Sequence, residues 1–435
     1  MTAKQTIANY ESKVREYTNF VVRGIKKVCT ECGPREAGSD AEHKAQQMMA
    51  KDLEDCCEEV RIEEFKVAPR AFMGWINISI LLGFGAAAAY NLGQALASML
   101  LLLSAIVVAA LEFLMYKQFL DPFFPTKTSH NLIGVRKPSG ETKRRLILAG
   151  HADSAPEWRF TYYGNKWFHT SRLVIIIVAI AFLSIFIALG FSIAAIAMGE
   201  AFHPISSLAA RGSVLNILGY VQIVLCTPLA LCWFFHNNKR FVLGANDNLS
   251  GSFTAMAAAK LLGNTNTRLE NTELVVMSVG GEECGLRGTK AYCKAHAEEL
   301  LDKNVETVFI ALDTMTDFDF MAIYATDLTN TVKHDPAVCG MIRQSAKTAG
   351  HEVPYQPLPF GASDAAAATQ AGIRSSAFCA MDPAPAAYYH TRLDTPEVLQ
   401  PKTVEACLDI VMEIAYQFDE TGLAPFEGTV VKLGV

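Results

Sequence analysis

The sequence has 435 residues, 51% hydrophobic and 19% charged, with a formal net charge of −6. With a mean hydropathy of +0.20, this composition excludes a disordered chain, a collagen-like fibre and an ordinary wholly soluble protein. The negative balance argues against nucleic acid as the main partner. The charges are unevenly spread. Residues 71–111, 173–199 and 212–238 contain no Asp, Glu, Lys or Arg, and all 82 charges fall in the other 340 residues. That is about 24% of those residues, the usual soluble figure. The pattern is an ordinary globular protein with apolar blocks inserted.

The first 28 residues are rich in Lys, Glu, Arg and Gln and hold no apolar core of a secretory signal, so they are expected to form an amphipathic helix. Glu59 to Val67 alternates as a strand, with Asn131 to Arg136 as its partner. A bilayer crossing needs about 20 apolar residues. Residues 71–111 therefore predict two crossings, near 72–90 and 95–114, with a turn near Tyr90-Asn91-Leu92-Gly93-Gln94. Arg145 to Ala149 is a short apolar run, as in strands buried on both faces. Trp158, Phe160, Tyr162, Tyr163, Trp167 and Phe168 follow, read either as an interfacial aromatic belt or as a substrate lid, the belt being preferred. Two more crossings are expected near 173–196 and 214–235, joined by a segment with Glu200, His203, Pro204 and Arg211. Leu173 to Ala188 is apolar all round apart from Ser184, whereas a soluble core helix of that length carries a polar stripe. Helix Ser250 to Leu262, strand Glu273 to Val279, helix Thr289 to Leu301 and strand Val308 to Leu312 complete the pattern.

Alternating strands and helices imply an α/β fold, a mostly parallel mixed sheet with helices on both faces. Residues 1–70, 117–171 and 239–435 together make one domain; 71–116 and 172–238 make two transmembrane hairpins. Four crossings keep those three segments on one side. Arg70, Lys117, Arg172, Lys239 and Arg240 flank the spans there, against Arg211 alone opposite, which predicts a cytoplasmic domain on a multi-pass integral membrane protein. The eleven cysteines point the same way. Cys29-x-x-Cys32 has no second pair and vicinal Cys56-Cys57 would bridge only under strain, so free thiols in a reducing compartment are expected.

In such folds chemistry collects at the carboxyl ends of the strands. His151 and Asp153 follow the run ending at Gly150; Glu282 and Glu283 follow the run ending at Gly281; Asp313 follows Leu312. Asp247 sits in Gly244-Ala245-Asn246-Asp247-Asn248-Leu249-Ser250-Gly251, a loop entering a helix, and His390 in Tyr388-Tyr389-His390-Thr391. Singly, each has an ordinary reading as helix cap, turn residue or solvated charge. Together, two imidazoles and three carboxylates, one able to bridge, make a ligand set for two Zn²⁺ ions, and a further carboxylate off the metals can take a water's proton.

These motifs resemble the co-catalytic zinc aminopeptidases of metallopeptidase family 28. The resemblance covers nearly all of the sequence outside the apolar blocks. It runs from Gly33-Pro34-Arg35-x-Ala37-Gly38-Ser39 and Ser129-His130-Asn131-Leu132-Ile133-Gly134 to the motifs around His151, Asp247, Glu282, Asp313, Ser363-Asp364 and His390 with Asp394. It implies that Asp247 bridges two zincs, that His151 and Asp313 complete one site, and that Glu283 and His390 complete the other. Glu282 is then the general base, Asp153 orients His151, and Asp394 does the same for His390. The Asp247-Asn248 peptide is expected to be cis. Tyr389 is read either as an oxyanion donor or as pocket wall. Two departures stand out. Thr289 replaces a frequent Ser, and Ala365-Ala366-Ala367-Ala368 lacks the His and aromatic residue often found there, which bears on the specificity pocket. The expectation is a membrane-anchored aminopeptidase acting on peptides. The rivals are another zinc amide hydrolase, such as a carboxypeptidase or deacylase, or a non-catalytic receptor or scaffold on the same fold. A transporter is disfavoured because the spans lack midplane charges.

Overall fold

The computed structural model describes residues 2–358 and 360–434. Its strands, in chain order, are β1 (Glu59–Val67), β2 (Lys127–Arg136), β3 (Arg144–His151), β4 (Pro156–Trp158), β5 (His236–Phe241), β6 (Thr272–Val279), β7 (Glu306–Met315), β8 (Met321–Asp327), β9 (Val332–Lys333), β10 (Tyr355–Pro357) and β11 (Arg374–Ala380). Nine of them form one mixed sheet in the order β1-β2-β6-β3-β7-β11-β8-β10, with β9 beside β8. The four central strands β6, β3, β7 and β11 run parallel. On one flank β2 joins β6 antiparallel and β1 joins β2 antiparallel. On the other, β8 runs antiparallel to β11.

The two-residue period of the strands divides the core. Leu146, Leu148, Leu274, Val276, Val308 and Ile310 pack to one side, against helices Tyr10–Cys32, Leu249–Asn264 and Pro401–Thr421. Ile147, Ala149, Val275, Met277 and Phe309 pack to the other, against Tyr292 of helix Arg287–Ala295 and Ala365 and Ala368 of helix Asp364–Gln370. Burial on both faces is why these strands read as unbroken apolar runs. Helix Leu249–Asn264 is buried from Leu249 to Leu262. Its approach to the sheet requires glycine at two places. A methyl at Gly150 would collide with Ser252 N, and one at Gly251 with the Leu312 carbonyl.

The chain divides into two compact units, Met1–Pro69 with Thr126–Glu157 and Lys239–Val435, and Arg70–Pro125 with Trp158–Asn238. Residues 117–125 and 158–171, expected with the sheet, fall in the second unit. Their bonds explain it. Leu120 N–H donates to Glu112 Oε2 at 2.9 Å, Arg159 N–H donates to the Phe235 carbonyl at 2.8 Å, and Trp158 packs on Phe235 with ring centroids 4.9 Å apart. Four helices of the second unit are long and apolar enough to cross a membrane: Ala71–Asn91, Ala95–Leu114, Leu173–Ala197 and Ser213–Cys232. This unit is apolar outside. Leu100, Leu183 and Val224 are exposed, while Ser98, Ser192 and Gln222 are buried and Ser98 Oγ lies 2.9 Å from Ser192 Oγ. Small and hydroxyl side chains between helices suit packing in lipid, where water supplies no drive to bury Leu.

Candidate metal centre

The carboxyl ends of the central parallel strands deliver the titratable side chains. His151 is the last residue of β3, Glu282 and Glu283 occupy the turn after β6, and Asp313 lies near the end of β7. Asp247 precedes helix Leu249–Asn264, whose N-cap Asn248 accepts Gly251 N–H. His390 stands in the segment between β11 and helix Pro401–Thr421.

Asp247 faces both imidazoles. Its Oδ1 lies 3.2 Å from His151 Nε2 and its Oδ2 lies 3.1 Å from His390 Nε2. Glu283 Oε2 is 3.3 Å from His390 Nε2, and Glu282 Oε2 is 3.8 Å from His151 Nε2. One donor atom from each of His151, Asp247 and Glu283 lies within 4.8 Å of the others. The Tyr389 ring stacks on His390, centroids 4.0 Å apart. The Asp247–Asn248 peptide is cis.

Two fully buried carboxylates brace the loops that carry these groups. Asp153 accepts Glu282 N–H on Oδ1 and Glu283 N–H on Oδ2, both at 3.0 Å. The nearest oxygen of Asp153 to His151 Nδ1 is its main-chain carbonyl, at 3.2 Å, with carboxylate Oδ1 at 3.6 Å. Asp394 accepts Asn246 N–H at 2.8 Å and Asn246 Nδ2–H at 2.7 Å on Oδ1, and Asp247 N–H at 3.2 Å on Oδ2. Both carboxylates thus act on the main chain beside the carboxylate-bearing residues.

Charge is crowded here. Among the described residues, every ion pair of Asp247, Glu282 and Glu283 is to a histidine. Burial, then the Asp364 and Asp313 carboxylates, hold Glu282 well above the ordinary carboxyl range, against the pull of His151. Burial, then Asp247 and Glu282, do the same to Glu283. Burial and Asp247 push Asp313 up to about 7. Burial works to lower His151, but Glu282, Asp153 and Asp247 hold it well above its ordinary value. Glu283 Oε1 is buried and, among the described residues, accepts no hydrogen bond. Converging imidazole and carboxylate donors short of positive charge fit a divalent cation of the zinc type.

Two bracing residues left little trace in the sequence. Arg35 is fully buried, donating from Nε to the Ala152 carbonyl at 2.6 Å and from Nη1 and Nη2 to the Leu243 and Gly244 carbonyls at 2.7 and 3.0 Å. It ties the strand end carrying His151 to the loop carrying Asp247. Its one signal was its place in Gly33-Pro34-Arg35. Asn246 stands directly before Asp247 in its motif, but nothing local marks its partner Asp394, far along the chain.

The profile of peptidase family M28 matches residues 231–415. Solved structures share the fold. BSAP, a zinc aminopeptidase from Bacillus subtilis, is 15% identical with a TM-score of 0.54, over 92% of this chain and 94% of that one. The aminopeptidase from Aneurinibacillus sp. strain AM-1 is 15% identical with a TM-score of 0.54, over 94% and 95%. The glutaminyl cyclase of Fimbriiglobus ruber is 14% identical with a TM-score of 0.52, over 92% and 94%. No curated protein sequence matches the chain.

Proposed function

We propose that this chain, whose residues 231–415 are of the peptidase family M28 type, is a membrane-embedded aminopeptidase that holds two zinc ions. The observation that carries the reading is the placement of Asp247, with one oxygen toward His151 and the other toward His390. That geometry suits a bridging carboxylate. His151 and Asp313 would then complete one site, and Glu283 and His390 the other. When bound, such ions acidify a water and polarise a scissile carbonyl.

The remaining work belongs to the side chains. Glu282 is the base: its carboxylate takes the water's proton and passes it to the leaving amine. Asp153 fixes the main chain of both glutamates and so keeps ligand and base apart. Tyr389, whose ring stacks on His390, can donate its phenol to the oxyanion. The four apolar helices anchor the enzyme in a bilayer, with the peptidase unit on the cytoplasmic side.

Glu282→Gln tests the reading. Turnover should fall at least about 10²–10⁴-fold, the usual worth of a general base, with metal content unchanged. Near-normal turnover would sink the mechanism, and loss of metal would exchange the roles of Glu282 and Glu283. Acetylating the N-terminus of a good substrate should block cleavage, because recognition of the free amine is then lost. Cleavage of the acetylated peptide would move the assignment to another amide hydrolase. The glutaminyl cyclase fold neighbours favour a second reading, intramolecular cyclisation. A peptide with N-terminal Gln separates the two: cleavage frees an amino acid, whereas cyclisation releases ammonia with the chain intact.

A further inference from the structure

Four successive amides in the turn after β6 are each held by a side chain from another element. Gly280 N–H donates to Asn131 Oδ1 at 3.1 Å, Gly281 N–H to Glu42 Oε1 at 3.1 Å, and those of Glu282 and Glu283 to Asp153 at 3.0 Å. Glu42 comes from the first turn of helix Asp40–Leu53, the element most distant in sequence from the turn it holds. It is fully buried. Its remaining contacts are Gly38 N–H at 2.7 Å on Oε2 and Ser129 Oγ, at 3.0 Å from Oε1 and 2.8 Å from Oε2. Among the described residues it has no ion pair with Lys, Arg or His.

Burial, then the Asp153 carboxylate, push Glu42 up to about 8, so what it offers this turn is acceptor oxygens rather than a fixed charge, whereas a purely structural link needs only a neutral side chain. The same helix makes such a link one turn later. Gln46 Nε2 donates to the His130 carbonyl at 2.6 Å and the Ser278 carbonyl at 3.2 Å. What sets Glu42 apart from Gln46 is its bond to the amide immediately before Glu282. The turn is shaped around it: Gly281 has φ +62, and a methyl at Gly280 would fall 2.6 Å from Glu42 Oε1 and 2.5 Å from the His130 carbonyl. Ser129 presents its hydroxyl to both oxygens, which fixes the carboxylate plane.

We propose that Glu42 is a positioning residue for the reaction: through Gly281 N–H its carboxylate fixes the turn that aims Glu282 and Glu283. This rests on the peptidase reading for its catalytic consequence and on the donor cluster alone for its effect on metal binding. Glu42→Gln puts an N–H where an acceptor is needed.

The test uses the full chain in detergent and compares Glu42→Gln, Ser129→Ala and the control Gln46→Met. Readouts are zinc affinity by chelator competition, the visible spectrum of the Co²⁺-loaded protein, thermal unfolding, and kcat and KM on a peptide. Glu42→Gln should weaken zinc about 10–100-fold, alter the Co²⁺ spectrum and lower kcat by a similar factor, with KM within about twofold. Ser129→Ala should act in the same direction but less. Gln46→Met should lower the unfolding temperature and leave zinc affinity and kcat in place. The proposal is overturned if folded Glu42→Gln keeps both within about threefold of the parent, or if Gln46→Met reproduces the losses. Should Glu42→Gln not fold, an unaltered Ser129→Ala overturns it. If the parent cleaves no peptide while Glu42→Gln still weakens zinc, the peptidase reading falls and the positioning role stands.

Discussion

Asp394 offers a graded test of how the main chain around Asp247 is held. Asp394→Ala removes the acceptor of three buried donors, Asn246 N–H, Asn246 Nδ2–H and Asp247 N–H. Each buried donor left unpaired costs about 1–3 kcal/mol, so the variant should lose about 3–9 kcal/mol, comparable with the whole stability of a domain. Asp394→Asn is the informative change. With its carbonyl placed at Oδ1 both Asn246 contacts survive, and only Asp247 N–H meets an amide nitrogen, at a cost of about 1–3 kcal/mol. The freed N–H belongs to the proposed bridging residue, so zinc affinity should also fall, by about 10–100-fold. In linkage terms the extra stability conferred by zinc then shrinks by about 1.4–2.8 kcal/mol. The assay is thermal unfolding in detergent with and without zinc, alongside chelator competition. An Asp394→Asn protein with parental zinc affinity and parental unfolding temperature would refute the reasoning.

A pH test rests on Asp335. Burial raises it, but the Arg374 guanidinium, with Nε 2.6 Å from Oδ2, wins and holds it below its ordinary range. A lowered carboxyl contributes stability above its unfolded value, near 3.9, and loses it as pH falls through the folded value. Arg374→Met should therefore be less stable than the parent at pH 7, with the gap closing below about pH 4; an equal gap at pH 7 and pH 3 would exclude the pairing as its source. Topology can be read by impermeant thiol labelling of intact cells, with single cysteines on a cysteine-free background. Ser206 and Ser12 are both exposed, and label should reach 206 but not 12; the reverse would place the peptidase unit outside. Ser345 is 1% exposed and would stay silent on either side.

The central strands were legible because β3, β6 and β7 are buried on both faces and so lack polar interruptions. The titratable residues were legible because strand ends mark them: His151, Glu282, Glu283 and Asp313 each follow an apolar run. The fourth central strand was less legible. In β11 (Arg374–Ala380) Ser375 and Ser376 interrupt the apolar run, yet both are buried; Ser375 Oγ donates to the Ala365 carbonyl and Ser376 Oγ to the Tyr324 carbonyl. The bracing residues were equally hidden. Glu42 sits in Ser39-x-x-Glu42, the form of a local capping box, and only the tertiary approach of its helix to Gly281 shows what the carboxylate holds. Asp394 stands beside His390 in sequence, but the donors its oxygens accept come from Asn246 and Asp247, about 150 residues earlier.

The strands β1 and β2 stay in register to their last pair, Val67 opposite Lys127. Residues 68–126 therefore occupy the place of a hairpin turn. Were that segment a flexible coil, closing it would cost about 3 kcal/mol more than a two-residue turn, since each doubling of loop length adds about 0.6 kcal/mol. Against one edge strand that is a heavy entropic load. A helical pair that folds on its own has met most of that cost before β1 and β2 pair, because its fixed ends replace a random walk with a short, stiff closure. The first apolar hairpin thereby becomes part of the folding of the sheet. Replacing it with a long Gly-Ser linker should loosen β1 and speed amide exchange in residues 59–67, while a short turn should restore the pairing without any apolar helix at all.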